Sequence, residues 1–173
     1  KTGKSARQLI NSLLMSTATP VINGENEMPY AVIQQGAGLA NVNDAINAQQ
    51  LLNVESGTLT ISAADDAIHS DLVLNIGGDG TDGPTIAITE CYEGIEAAEL
   101  NVLSGNIDIL SSGDCLNAAN SDLSGYAFSM NISGGIITAC SSSGDGFDSN
   151  GDLTISGGTV AVWTANTADN QPL

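Results

Sequence analysis

The chain has 173 residues and a formal net charge of −17, with twenty acids set against three strong bases, Lys1, Lys4 and Arg7. After Arg7 the only cationic side chain is His69, which excludes nucleic acid as a partner, since phosphate contacts need Lys and Arg, and removes any pull toward anionic lipid. No run of eighteen apolar residues occurs, so no membrane-spanning helix is expected, and the length fits one domain or one domain with a cap.

The chain opens KTGKSAR, without the basic–apolar–small pattern of a signal peptide and without an initiator Met. It is therefore expected to be processed or excised from something longer. Residues 5–18 predict an amphipathic helix: Ala6, Leu9, Ile10, Leu13 and Leu14 share one face, and Ser5 and Gln8 have capping-box spacing. Pro20 stops it. Its expected role is to cover one open end of the body formed by 44–173, so that 1–43 form a cap segment and 44–173 a coil stack expected to be truncated in its last coil, at TANTADNQPL.

From residue 44 the chain repeats one unit. A glycine opens it, as at Gly57, Gly83, Gly105, Gly135 and Gly158. An alternating strand comes next, as in Leu59/Ile61, Ile86/Ile88, Ile107/Ile109 and Val160/Val162. After a polar turn, an acid stands two residues before a lone apolar residue: Asp66 before Ile68, Glu93 before Ile95, Asp114 before Leu116, Asp145 before Phe147. A polar residue comes after it, His69, Glu96, Asn117 or Asp148, and a second alternating strand closes the unit. NDAINA adds an earlier match, Asp44 before Ile46 and Asn47.

The acids step by 22, 27, 21 and 31 residues, so the basic unit is about 22 residues, with insertions near 77–83 and 124–131. A fixed period with slack at one or two turns marks a solenoid. Alternation sends every second side chain inward, and one coil cannot cover its own apolar face, so coils must stack at about 4.8 Å. Short strands joined by Gly, Ser, Asn and Asp turns predict an all-β fold: a right-handed parallel β-helix of about five coils with an N-terminal capping α-helix. The competing arrangement, a β-sandwich of short strands, does not require side chains to recur in register.

Stacking would line up Asp44, Asp66, Glu93, Asp114 and Asp145, with Asn47, His69, Glu96, Asn117 and Asp148 in a second row. Carboxylates about 5 Å apart repel by roughly 1 kcal/mol per pair in water and about 3 at a partly screened surface. Protonation, water or cations would each relieve this. Calcium suits the residue types, taking oxygens from carboxylates, carbonyls and Asn, with Asp66, Glu93, Asp114, Asp145, Asp148, Asn150 and Asp152 as candidate ligands. DSNGD (148–152) spaces its oxygens like the first ligands of a calcium loop but lacks the later Glu. A solvated acidic edge with capped turns is the other reading. Cys91, Cys115 and Cys140 fall at different points of their units and show no CxxC spacing, so zinc is not expected and small buried fillers are.

Two stretches resemble known families. LLMSTATPV and PYAVIQQGAGLANVNDAINA, within residues 8–48, resemble the C-terminal tail of a subtilisin-like serine protease domain. The segments carrying that family's catalytic Ser, His and Asp have no counterpart here, so its chemistry does not transfer. NDAINA lies in both readings, as a helix start in the protease tail or as the first coil; Leu52 and Val54 continue the alternation and favour the coil. Residues 55–173, through GTLTISAADDAIHSD, YEGIEAAELNVLSG and SGDGFDSNGDLTISGGTV, resemble secreted bacterial carbohydrate-binding domains of acidic parallel β-helix type. That resemblance implies bound calcium, no catalysis, an extracellular or cell-surface location, and a cellulose or pectic polysaccharide partner.

A lyase acting beside a uronate needs a base and a cationic clamp, which nothing after Arg7 supplies. A glycosidase needs two carboxylates at a set separation, and ladder acids could provide that; acids repeated in every coil suit a structural task better. Among aromatics able to form a sugar platform, Tyr92, Tyr126, Phe128 and Trp163, the choice falls on Tyr92 and Trp163, with core packing as the alternative. A third reading is structural: head-to-tail self-association of coil ends into a fibre.

Overall fold

A computed structural model describes residues 22–23, 28–29, 46–78, 80–165 and 171–173. The expected helix 5–18, Asp44 and most of the protease-like stretch lie outside the described residues. The chain divides into two compact units, Lys1–Ala45 and Ile46–Leu173. In the first, β1 (Ile22–Asn23) pairs antiparallel with β2 (Met28–Pro29).

The second unit is a stack of parallel strands. One sheet holds β3 (Asn47–Ala48), β4 (Leu51–Val54), β6 (Ile68–Ile76), β8 (Ile95–Val102), β10 (Leu116–Ala118), β11 (Ser129–Ile132), β13 (Phe147–Ser149) and β14 (Asp152–Ile155). The other holds β5 (Thr58–Ser62), β7 (Thr85–Glu90), β9 (Asn106–Ser111), β12 (Ile136–Ser141) and β15 (Thr159–Thr164). In the first sheet β6 and β8 run through both limbs of a coil, with a register shift between Ser70 and Val73; elsewhere the limbs are separate strands. Register steps from Asn47 to His69, Glu96, Asn117 and Asp148 close about four turns, with β14 and β15 following Asp148 along the chain.

The apolar columns arise from this register. Ile68, Ile95, Leu116 and Phe147 stand one over another and all four are buried. Leu59, Ile86, Ile107, Ile137 and Val160 form a second column across the other sheet. Each fully buried Leu or Ile contributes about 1.5–3 kcal/mol of transfer free energy. No single coil could bury them, because each column is closed only by the coils above and below. Along β9 the exposure alternates residue by residue, which is the inward–outward alternation of a pleated strand.

The long steps carry the insertions. Residues 77–84 separate β6 from β7, and Gly78 N donates to Ser104 Oγ (3.1 Å) on the next coil. Residues 119–128 separate β10 from β11. Asn120 Nδ2 donates to Asp71 O (2.9 Å), and Tyr126 Oη donates to Glu99 Oε1 (2.5 Å). The glycine that opens each coil has positive φ, from 71° at Gly83 to 116° at Gly105; only glycine takes that turn without strain.

The stack has one further rung that the repeat pattern did not disclose. Gly146 N donates to Gln171 O (2.9 Å) and Phe147 N to Pro172 O (3.0 Å). One coil lower, Cys115 N and Leu116 N bond Asp145 O and Gly146 O in the same way. Gln171, Pro172 and Leu173 thus stand over Asp145, Gly146 and Phe147, with Gln in the place of the acid.

Candidate functional site

The two acidic rows come into register, and their lower part closes on one histidine. Glu96 lies one coil above His69, while Asp66 and Asp71 flank it along the chain. His69 Nδ1 lies 3.0 Å from Asp66 Oδ2 and 3.1 Å from Glu96 Oε1, and Nε2 lies 3.0 Å from Asp71 Oδ1. Hydrogen bonds to Asp66 and then Glu96 push the His69 pKa up to about 10, against the effect of burial. At neutral pH the ring is an imidazolium with both N–H groups donating.

The next coil adds a proton. Burial, then a hydrogen bond with Glu96, pushes the Glu93 carboxyl up to about 8. Glu96 resists burial and stays below its usual range because His69 and Glu93 hydrogen-bond to it. Asn117 Nδ2 donates to Glu93 Oε2 (2.8 Å) and Glu96 Oε2 (2.9 Å). The repulsion expected of the ladder is thus relieved here by one imidazolium, one carboxyl proton and one amide.

Asp66, His69 and Glu96 are the one set of three candidate metal ligands within 4.8 Å of one another among the described residues. In its imidazolium form His69 offers no lone pair to a metal and itself supplies positive charge to Asp66, Asp71 and Glu96. The upper part of the ladder differs. Asp114 Oδ1 accepts from Asp145 N (2.6 Å), and Asp145 Oδ1 accepts from Gln171 N (2.5 Å). Burial, then the charges of Asp148 and Asp145, raise the Asp114 pKa. Asn117 Oδ1 is buried with no hydrogen-bond partner among the described residues, while its amide nitrogen is engaged by Glu93 and Glu96. Carboxylate and amide oxygens are the hard donors that calcium takes, but Asp114, Asp145 and Asp148 do not form a set of three within 4.8 Å of one another. Asn150 and Asp152 lie farther along, at an exposed turn and the start of β14.

The thiols are fillers in two cases of three. Cys91 and Cys115 are buried, and burial pushes their pKa values up to about 12 and about 11. Cys140 is half-buried instead, on the outward side of β12.

The outward face of the second sheet carries the aromatic candidates. Trp163, Cys140 and Leu110 stand in register on β15, β12 and β9. Trp163 is 49% and Leu110 50% exposed. Tyr92, 55% exposed, comes just after β7 and lines a shallow groove of about 350 Å³ together with Thr89, Leu110 and Ser112. Leu110 therefore joins Tyr92 to the Trp163 row. Sequence reasoning missed Leu110, although its place directly after inward Ile109 marks it as outward. Tyr126 is committed elsewhere: its hydroxyl is bound by Glu99 and its ring packs on Phe128, centroids 5.6 Å apart.

A family described as carbohydrate-binding domain-containing protein matches residues 80–172, just over half of the chain. The chain belongs to this family. No curated protein and no solved structure matches it. Membership in a carbohydrate-binding domain family agrees with a non-catalytic role and a polysaccharide partner, and it covers β7 to β15, where Tyr92, Leu110 and Trp163 lie. No helix among the described residues is long and apolar enough to cross a membrane.

Proposed function

We propose that this domain holds an extracellular polysaccharide of the plant cell-wall type, cellulose or polygalacturonate, without cleaving it. The observation that carries the reading is the exposed row of Trp163 and Leu110, with Tyr92 beside it, on a rigid sheet face in a carbohydrate-binding family. Flat apolar rings and side chains match the C–H faces of sugars, while Thr89 and Ser112 line the groove with hydroxyls.

The Glu93–Glu96 pair favours binding over hydrolysis. Glu93 and Glu96 share a hydrogen bond and one Asn117 amide. A glycosidase pair stands about 5–9.5 Å apart, with the scissile bond between. Glu93 and Glu96 are instead drawn onto one amide nitrogen of the stack.

In the same reading, Asp114, Asn117, Asp145 and Asp148 would hold calcium between the upper coils. Its role would be to neutralise carboxylates that no cation among the described residues reaches and, with an anionic polymer, to bridge chain and ligand.

The test is retention on insoluble cellulose and on polygalacturonate, each with calcium and with chelator. Wild type should be retained on at least one polymer, and Trp163→Ala should weaken retention about tenfold, ~1.4 kcal/mol, with the melting temperature unchanged. Calcium should raise the melting temperature of wild type but not of Asp114→Asn/Asp148→Asn. A melt indifferent to calcium and chelator removes the ion, and wild type retained on neither polymer removes the binding role.

A further inference from the structure

The first sheet carries an outward row that lies apart from the aromatic face. Asn53, Asn75, Asn101 and Asn131 stand in register on β4, β6, β8 and β11. Asn75 Nδ2 donates to Asn53 Oδ1 (2.9 Å), Asn101 Nδ2 to Asn75 Oδ1 (2.9 Å), and Asn131 Nδ2 to Asn101 Oδ1 (3.1 Å). The row lines a groove of about 460 Å³, with Leu103, Ser133 and Glu55 along it.

An amide has two N–H donors and two acceptor lone pairs. The ladder uses one of each at Asn75 and Asn101, and leaves one of each for a ligand in the groove that these residues line. These spare groups recur at the strand spacing of about 4.8 Å. The ladder bonds hold the amides in place, so little rotamer freedom is lost when a ligand binds. A sugar hydroxyl donates and accepts at once, and can take both spare groups. An extended polysaccharide presents hydroxyls at each sugar, a length close to one coil.

Charge selects among such polymers. The ladder is neutral, Glu55 is the carboxylate in the groove, and the chain carries −17. A polyanion would be repelled along its whole length.

We infer that the Asn53–Asn131 ladder is a second carbohydrate track, binding a neutral extended polysaccharide along the stacking axis, apart from the Trp163 row. It rests on the carbohydrate-binding reading, and the experiment separates the two. Calorimetric titration uses soluble β-1,4-linked gluco-oligosaccharides of increasing length. Proteins are wild type, Asn75→Thr/Asn101→Thr, Ser133→Tyr and Trp163→Ala. Threonine is chosen because Thr154 already continues this column above Asn131, and Ser133→Tyr fills the groove while leaving the ladder intact.

Wild-type affinity should rise with length until the sugar spans the ladder, about 14 Å. The double Thr variant and Ser133→Tyr should each lose about tenfold or more for the longest sugar, with an unchanged circular dichroism spectrum. Wild-type affinity in Ser133→Tyr, or in a folded double Thr variant, overturns the ladder. If Trp163→Ala alone loses affinity, the ladder falls and the Trp163 reading stands. Wild type that binds none of the sugars overturns the ladder, and retention on the insoluble polymers then decides the broader reading.

Discussion

Replacing His69 by leucine is expected to cost about 2–3 kcal/mol at neutral pH, the lower part of the range for stripping a partly buried charge cluster of its partner. For a chain of this size that lowers the melting temperature by roughly 5–10 °C. Asp66, Asp71 and Glu96 would keep their positions around an apolar side chain, with no cation between them.

The pH dependence carries the same signature. The His69 pKa is raised from 6.5 to about 10 in the fold, so its contribution is complete below 6.5 and is lost as pH rises through 10. Glu93 is raised from 4.5 to about 8, so the folded chain keeps a proton that the unfolded chain releases, and stability falls with pH across that window. The two slopes add between 6.5 and 8. Wild type should be most stable near about pH 5 and weaken toward about pH 10. His69→Leu should lose the decline above pH 8 and keep the Glu93 part below it. Denaturant melts across this range read both effects. A variant with wild-type stability and slope would mean that His69 does not hold the acids together.

Gly105→Ala is expected to cost about 3–4 kcal/mol, and Gly57→Ala only about 1–2. Both glycines open a coil and both have positive φ, 116° and 103°, so the strain of the turn is common to them. They differ in their neighbours. A Cβ on Gly105 would meet Pro84 O at 2.8 Å and Pro84 Cδ at 3.0 Å, whereas none of the described residues lies within 4 Å of one on Gly57. The difference in urea midpoint therefore isolates the close approach of one coil to the next. Equal losses would contradict tight layering at that corner.

The stacking order was legible because it depends on spacing alone. The acid–x–apolar tripeptide places Ile68, Ile95, Leu116 and Phe147 at the intervals that the strand register reproduces. NDAINA, read as a coil, does pair Asn47 with His69. The role of His69 was harder to see. The repeat treats it as one polar residue in a row, while its partners come from three directions: Asp66 before it, Asp71 after it, and Glu96 one coil away. Gln171–Leu173 escaped because the rung lacks an acid. The Asn ladder was present as LNV, LNI, LNV and MNI at the end of four strands, but a polar residue between apolar ones reads simply as the outward half of the alternation. Spacing says which residues stack; it does not say which of the outward ones meet a ligand.

The most direct test of carbohydrate binding on outward sheet faces is a two-dimensional amide spectrum of ¹⁵N-labelled protein titrated with a long soluble β-1,4-gluco-oligosaccharide. Shifts are expected at the Trp163 indole N–H and at the Asn75 and Asn101 side-chain amides, with residues around His69 unmoved and the sugar intact afterwards. Shifts centred on Glu93 and Glu96 with shortening of the sugar would contradict binding without cleavage, as would a spectrum that does not change.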